Sequence, residues 1–454
     1  MAPIIDIHTH LFNALDIPME GYLISRRIER RRPCDLEYII NFFGPHVFHY
    51  LTDRMRDRCV TRQLGDNQIG WYYSMLLCIF GWYMGQDMKS WEDALSQTVQ
   101  KNAEDLKRTW DQVDLFVPLL LDFEYGFKNT IDLPLDRQID IMYRDVILAQ
   151  NGKFHAFAPF DPARELSYRE GLNNPDGQTE KVSALELVKT AIEEKGFIGV
   201  KLYNSVGYKP LNNDKDKAPL YHTRVAVRNN KMAFLFDGRQ YDDILRELYA
   251  YCETNGVPIT AHCMMNGIEA YPDASYHFGS AYLWKPVLKV YKALRLNLAH
   301  FGWNPVSGHG YGHKLNWMKT ICRMMLEYEN LYADVAHHDV ITRNHRSLFI
   351  KAFQNIQNDY SEDIDRIRKK ILYGSDWHVL KRLKNYRSFM EQYIHVMKKT
   401  KLYSEDTIGH FLGRNAMVFL GLLPGGKNRN RLEKFYHIHN IQMPQWFRES
   451  STTR

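Results

Sequence analysis

The chain has 454 residues, 45% of them hydrophobic and 25% charged, which is ample for a large core and unlike a disordered, fibrous or disulfide-stapled chain. Its net charge of +6, from 59 basic and 53 acidic residues, is a small excess at this length and gives no general case for nucleic-acid binding. The most apolar window, residues 71–84, is interrupted by Gly81 and falls short of the roughly twenty apolar residues a membrane span needs, so it reads as a buried helix.

In chain order, the first element is a short apolar strand, Pro3-Ile4-Ile5-Asp6-Ile7-His8-Thr9-His10. Side chains on a strand alternate, so His8 and His10 share a face as it ends. Two imidazoles converging there suit a divalent metal, if later strands supply the remaining ligands. A histidine pair this early, without a basic start, does not read as a signal peptide. Six scattered cysteines (Cys34, Cys59, Cys78, Cys252, Cys263, Cys322) show no paired spacing, and a reduced, cytoplasmic protein is expected.

Residues 13–110 read as a helical insertion rich in aromatics, methionine and arginine, with helix-like spacing over 35–50 and 90–113. The basic cluster at 26–32 is read as a solvated helix face, and the aromatics and methionines of 71–84 as packing. Strands and helices then alternate. Strands are predicted over 114–121, 154–160, 197–203, 257–262, 295–300, 331–335 and 370–376. Helices are predicted over 183–194, 241–254 (closed by Gly256), 281–293, 314–328, 344–357 and 361–370, with two more before Leu422. Eight strands, each separated by helical sequence, point to an α/β (β/α)8 barrel over 1–12 and 111–423. A doubly wound sheet is the alternative, and the polar residues argue against it, because they recur at strand ends across the whole sequence. Residues 424–454 read as a C-terminal tail with some packing residues, among them Phe435 and Trp446.

The strand ends carry the chemistry. Strand one gives His8 and His10; strand four gives Lys201 in Gly199-Val200-Lys201-Leu202-Tyr203; strand five gives His262 in Ile259-Thr260-Ala261-His262. Strand six gives His300 in Asn297-Leu298-Ala299-His300-Phe301-Gly302, and strand eight gives Asp376 in Tyr373-Gly374-Ser375-Asp376-Trp377. Barrel enzymes assemble their sites at that end of the strands.

This order of His-x-His, Lys, His, His and Asp resembles the amidohydrolase superfamily of metal-dependent hydrolases. The local wording is most similar to its amidohydrolase-related (amidohydrolase 2) branch, which also holds decarboxylases and lactone hydrolases. Further matches are Phe278-Gly279-Ser280, Trp284-Lys285-Pro286-Val287-Leu288 and Phe411-Leu412-Gly413-Arg414-Asn415-Ala416. The resemblance covers residues 1–12 and about 111–423, with the insertion and tail outside it.

It implies a divalent metal, zinc first, held by His8, His10 and Asp376, with Asp376 as general base towards a metal-activated water. His262 and His300 would bind a second ion, or divide between metal and substrate. Lys201 would be either a carboxylated bridge between two ions or a cationic substrate contact, since a protonated lysine has no lone pair to ligate with. Asp6 is expected to support the site through hydrogen bonds, on the face opposite its neighbours.

Arg164, Tyr203 and His338 are candidate substrate contacts. His337 and Asp339 stand beside His338, and His309, Tyr311 and His313 lie in a loop that could fold over the site. The loop 204–237 is a candidate lid. The function implied is hydrolysis of an amide, ester or lactone in a small molecule. Alternatives are a decarboxylase of an aromatic or unsaturated acid and a non-catalytic, partner-binding scaffold. No nucleic acid or membrane partner is expected, and a homo-oligomer is compatible with the family.

Overall fold

A computed structural model of the chain describes residues 3–13, 15–18, 93–95, 97–127, 131, 133–175, 177–215, 237–264, 268–270, 274–303, 317–338, 340–341, 343–381, 383 and 385–449. The expected helix over 35–50, the basic cluster at 26–32, the aromatic run at 71–84, most of the candidate lid, and His309, Tyr311, His313 and Asp339 lie outside the described residues.

The described residues form one ring of parallel strands with helices outside it. In chain order the elements are β1 (Ile5–Thr9), α1 (Val99–Thr109), β2 (Leu115–Pro118), α2 (Leu135–Ile141), β3 (Phe157–Phe160), α3 (Pro162–Arg169), α4 (Ala184–Glu194) and β4 (Gly199–Leu202). Then come α5 (Gly238–Asn255), β5 (Ile259–His262), α6 (Lys285–Val290), β6 (Leu296–Ala299), α7 (Trp317–Glu327), β7 (Leu331–Asp334), α8 (Arg343–Asp359), α9 (Ile364–Arg368) and β8 (Ile371–Leu372). The chain ends with α10 (Phe389–Lys399), α11 (Asn415–Leu420), α12 (Lys427–Ile438) and α13 (Gln445–Glu449).

Strands β3 to β8 pair in sequence order, and β1 pairs with β2, all parallel. Backbone hydrogen bonds join the two sheets at both seams. Phe116 N donates to Lys153 O and His155 N to Phe116 O, linking β2 to the approach to β3. Ile7 N donates to Tyr373 O, and Ser375 N and Asp376 N both donate to His8 O, linking the exit of β8 to β1. The sheet therefore closes as an eight-stranded barrel.

Gly374 makes the second seam possible: a Cβ there would lie 2.8 Å from the His8 Cβ. Strand residues are buried on both faces, as in a parallel sheet wrapped by helices. That explains their reading as continuous apolar runs.

Local sequence fixes the helices. Ser183 caps α4 by accepting from Glu186 N, and Asp161 caps α3 by accepting from Ala163 N with Pro162 at the first helical position. Helix α5 stops at Gly256, whose left-handed conformation (φ 60°) suits glycine. Predicted strands are longer than those observed, most of all over 370–376, where only Ile371 and Leu372 pair as strand. The polar residues that follow turn away to build the site.

The segment after residue 424 is helical and docked under the barrel. Asn428 Nδ2 donates to Ile198 O and Leu420 O, each 2.7 Å, and Phe435 fills the space beside Gly196. His155, ahead of β3, bridges Gly196 O through Nδ1 (2.8 Å) and the Tyr436 hydroxyl through Nε2 (2.6 Å). Burial holds the His155 imidazole at a pKa of about 4, against 6.5 when free. The folded state thus favours neutral His155. Its contribution is complete above pH 6.5 and is lost as the pH falls towards 4. Denaturant titrations at pH 7 and pH 4 are expected to show an acid loss smaller by about 2–3 kcal/mol in His155→Gln than in the parent chain. An equal loss would exclude His155 as a source of acid sensitivity.

Candidate metal centre

His8, His10, Lys201, His262, His300 and Asp376 are all buried at the C-terminal ends of β1, β4, β5, β6 and β8. One ligand-type atom each from His8, His300 and Asp376 lies within 4.8 Å of the others. The His10 Nε2 is 3.6 Å from Asp376 Oδ1. The His262 ring centre is 4.9 Å from that of His300, which is 4.8 Å from that of His8.

Three of the imidazoles are oriented by bonds on their outer nitrogen. His8 Nδ1 lies 3.1 Å from Asp334 Oδ2, His10 Nδ1 2.7 Å from Leu119 O, and His300 Nδ1 3.0 Å from Ala336 O. Each partner can only accept, so each Nδ1 carries the hydrogen and each Nε2 keeps its lone pair.

Among the described residues, His8 Nε2, both His262 nitrogens, Lys201 Nζ and Asp376 Oδ1 are buried without a hydrogen-bond partner. Buried polar atoms are normally paired. The unpaired atoms on His8 and Asp376 belong to the cluster with His300, a set that fits a bound cation, and its nitrogen and carboxylate donors suit zinc.

The charge states agree with that fit. Burial pushes the His10 pKa down to about 3, and holds His262 and His300 well below the usual imidazole range, so these rings are neutral. Burial alone would raise Asp376, but contact with His337 and the fields of His10 and His8 outweigh it and keep the carboxyl well below its ordinary value. Burial lowers Lys201 to about 8, with Asp334 and Asp376 opposing the shift. Asp376 sits in the left-handed region (φ 56°), as do His300 (φ 64°) and His337 (φ 65°).

The supporting residues are equally specific. Asp6 accepts from Ser375 N (3.0 Å) and Ser375 Oγ (2.6 Å), and also from His8 N, which ties β1 to the exit of β8. Tyr203 stacks on His262 with ring centres 4.2 Å apart, and Phe123 meets Tyr203 edge-on at 4.8 Å. Together these rings form an aromatic wall beside the site.

Two expected substrate contacts are corrected by the structure. Arg164 is buried and consumed by carboxylates: Nε and Nη2 hold Asp122 at 2.7 and 3.0 Å, Nη2 holds Glu124 at 2.5 Å, and Nη1 holds Glu180 at 2.9 Å. An anionic substrate group would meet three acids there. His338 is also turned away, its Nε2 on His300 O at 2.8 Å and its ring on Trp303. The positive φ at His337 exchanges the two side chains, and His337 Nδ1 lies 3.3 Å from Asp376 Oδ2, partly exposed.

Two residues escaped the sequence reading. Asp334 ends β7 fully buried, with His8, Asn297, His300 and Ala336 all bonded to its carboxylate. Asn297 on β6 donates to Asp334 at 2.7 Å. The available signal was an acid closing the apolar run Leu331-Tyr332-Ala333, which the predicted strand end at 335 obscured.

No helix among the described residues is long and apolar enough to cross a membrane. The solved structures similar to the chain include these two. An uncharacterized TIM-barrel protein from Bordetella bronchiseptica is 17% identical, with 92% of this chain and 98% of that chain covered and a TM-score of 0.44. An amidohydrolase from Burkholderia multivorans with bound zinc is 10% identical, with 73% and 91% covered and a TM-score of 0.41. At such scores the likeness carries no argument, and the barrel rests on its own hydrogen-bonded ring. No curated protein matches the sequence. A family model described as amidohydrolase matches residues 167–422, more than half of the chain and five of the eight strand ends of the barrel. The chain belongs to the amidohydrolase family and is a metal-dependent hydrolase of that kind.

Proposed function

We propose that His8, His10, His300 and Asp376 hold a divalent ion, zinc first, with His262 and Lys201 beside them, and that the site hydrolyses an amide, ester or lactone of a small molecule. The observation that carries this reading is the clustering of ligand-type atoms of His8, His300 and Asp376 within 4.8 Å of one another, with His8 Nε2 and Asp376 Oδ1 buried and unpaired. A bound divalent ion supplies a water of lowered pKa and polarises a carbonyl oxygen.

The chain's own residues do the rest. Asp376, anionic and in contact with a partly exposed imidazole, accepts the proton of the attacking water and returns it to the leaving group. Neutral His262 and His300 offer lone pairs or orient the carbonyl. The rings of Tyr203 and Phe123 present an apolar face that excludes water from one side.

Lys201 decides the number of ions. With burial lowering its pKa to about 8, Lys201 has free amine near neutrality, the form that would add carbon dioxide with loss of a proton and whose carboxylate would help to hold a second ion. If it stays an ammonium, it faces the substrate instead. The test is turnover of amide, ester and lactone panels, run beside aromatic and unsaturated carboxylic acids, before and after chelation. Hydrolysis lost on chelation and restored by zinc is expected. Release of carbon dioxide from the acids without hydrolysis of any panel member would replace this reading with the decarboxylase.

A further inference from the structure

Asp334 has no part in the family-like pattern of strand ends, yet it is the most heavily bonded group beside the centre. Its Oδ1 accepts from His300 N and Ala336 N, each 3.0 Å, and its Oδ2 accepts from Asn297 Nδ2 (2.7 Å) and His8 Nδ1 (3.1 Å). One carboxylate therefore holds the ring of His8 on β1 and the backbone of His300 at the exit of β6.

We infer that Asp334 is a positioning residue for the metal: it fixes His8 in the Nδ1–H tautomer, leaving Nε2 as the ligand atom, and sets His300 beside it. This rests on the metal-centre reading above. The two sides of the carboxylate are chemically unequal. The Oδ1 side faces two backbone N–H groups, which cannot stop being donors. The Oδ2 side faces a histidine that can change tautomer and an amide that can flip, Asn297 having an unpaired buried Oδ1.

The substitution Asp334→Asn exploits that inequality. The new amide must direct its oxygen at the His300 and Ala336 N–H groups, which leaves its NH2 towards His8 and Asn297. His8 Nδ1 then becomes an acceptor, its hydrogen moves to Nε2, and the lone pair leaves the centre. The backbone clamp at β6 stays intact, so the change falls on ligation.

Zinc binding to the metal-free full-length chain, read by competition with a coloured chelator, tests this. Asp334→Asn is expected to weaken zinc binding about 10–100-fold, as removing a group that orients a ligand does. In a His8→Ala background, where no tautomer is left to set, it is expected to add no further loss to the residual zinc affinity, read at zinc concentrations high enough to load the remaining residues. A general structural role would carry its loss into that background undiminished, which overturns the inference. Zinc binding lost in His8→Ala but unchanged in Asp334→Asn also overturns it and spares the metal centre. Unchanged binding in His8→Ala overturns the metal centre itself. Should Asp334→Asn fail to fold, nitrogen NMR of the 15N-histidine-labelled, metal-free parent decides instead. A Nδ1–H tautomer at His8 supports the inference, and an Nε2–H tautomer refutes it.

Discussion

Replacing Asp376 with asparagine is expected to lower turnover by about 10³-fold or more, with the barrel intact. The amide has no proton-accepting charge, and a positioned general base alone is worth about 10²–10⁴. It also removes the anionic partner lying 3.6 Å from His10 Nε2 and 3.3 Å from His337 Nδ1. Asparagine is the substitution of choice because residue 376 lies at φ 56°, a left-handed conformation that Asn tolerates as well as Asp, so the backbone pays little. The bond from Asp376 N to His8 O is unaffected. Steady-state rates under metal saturation separate the lost base from lost metal, and a loss smaller than tenfold would remove Asp376 from the proton-transfer role.

Arg164→Met is expected to cost about 3–5 kcal/mol of folding stability, because it leaves Asp122, Glu124 and Glu180 buried without their shared cation. The side chain is long enough to retain packing over the Tyr125 ring, where the guanidinium now sits 5.2 Å from the centre. Burial already pushes Glu124 up to about 7, with Arg164 opposing the rise. Without the arginine Glu124 gains further from protonation, so the deficit shrinks as the pH falls below 7 and grows above it. Denaturant unfolding at pH 6 and pH 8 reads both effects. A stability within about 0.5 kcal/mol of the parent, the range of surface substitutions, would mean the cluster is solvated and not a buried network.

Sequence reading recovered the barrel because each strand is a short apolar run buried on two faces, and it marked the candidate site residues because single polar residues close those runs. His8, His10, Lys201, His262, His300 and Asp376 could all be picked out in that way; all six are buried, and ligand-type atoms of His8, His300 and Asp376 lie within 4.8 Å of one another. What it missed depends on contacts or conformations with no local signature. The partners of Arg164 come from positions 122, 124 and 180, so a buried ion network looked like an available cation. The exchange of His337 for His338 depends on one left-handed residue, which histidine type does not announce. Asp334 was hidden by a strand drawn one residue too long. The C-terminal segment looked like a polar tail because its contacts, Asn428 to Ile198 and Tyr436 to His155, reach across more than 200 residues of sequence.

Elemental analysis of the purified full-length chain, beside His8→Ala, tests the central claim most directly. The account predicts at least one equivalent of divalent metal, zinc first, retained through dialysis by the parent and lost from His8→Ala. Two equivalents with a carboxylated Lys201 would fix the bridging state, and one with a free lysine the substrate-facing state. A parent chain that takes up no divalent metal when supplied in excess, or a His8→Ala chain that holds as much as the parent, would contradict it.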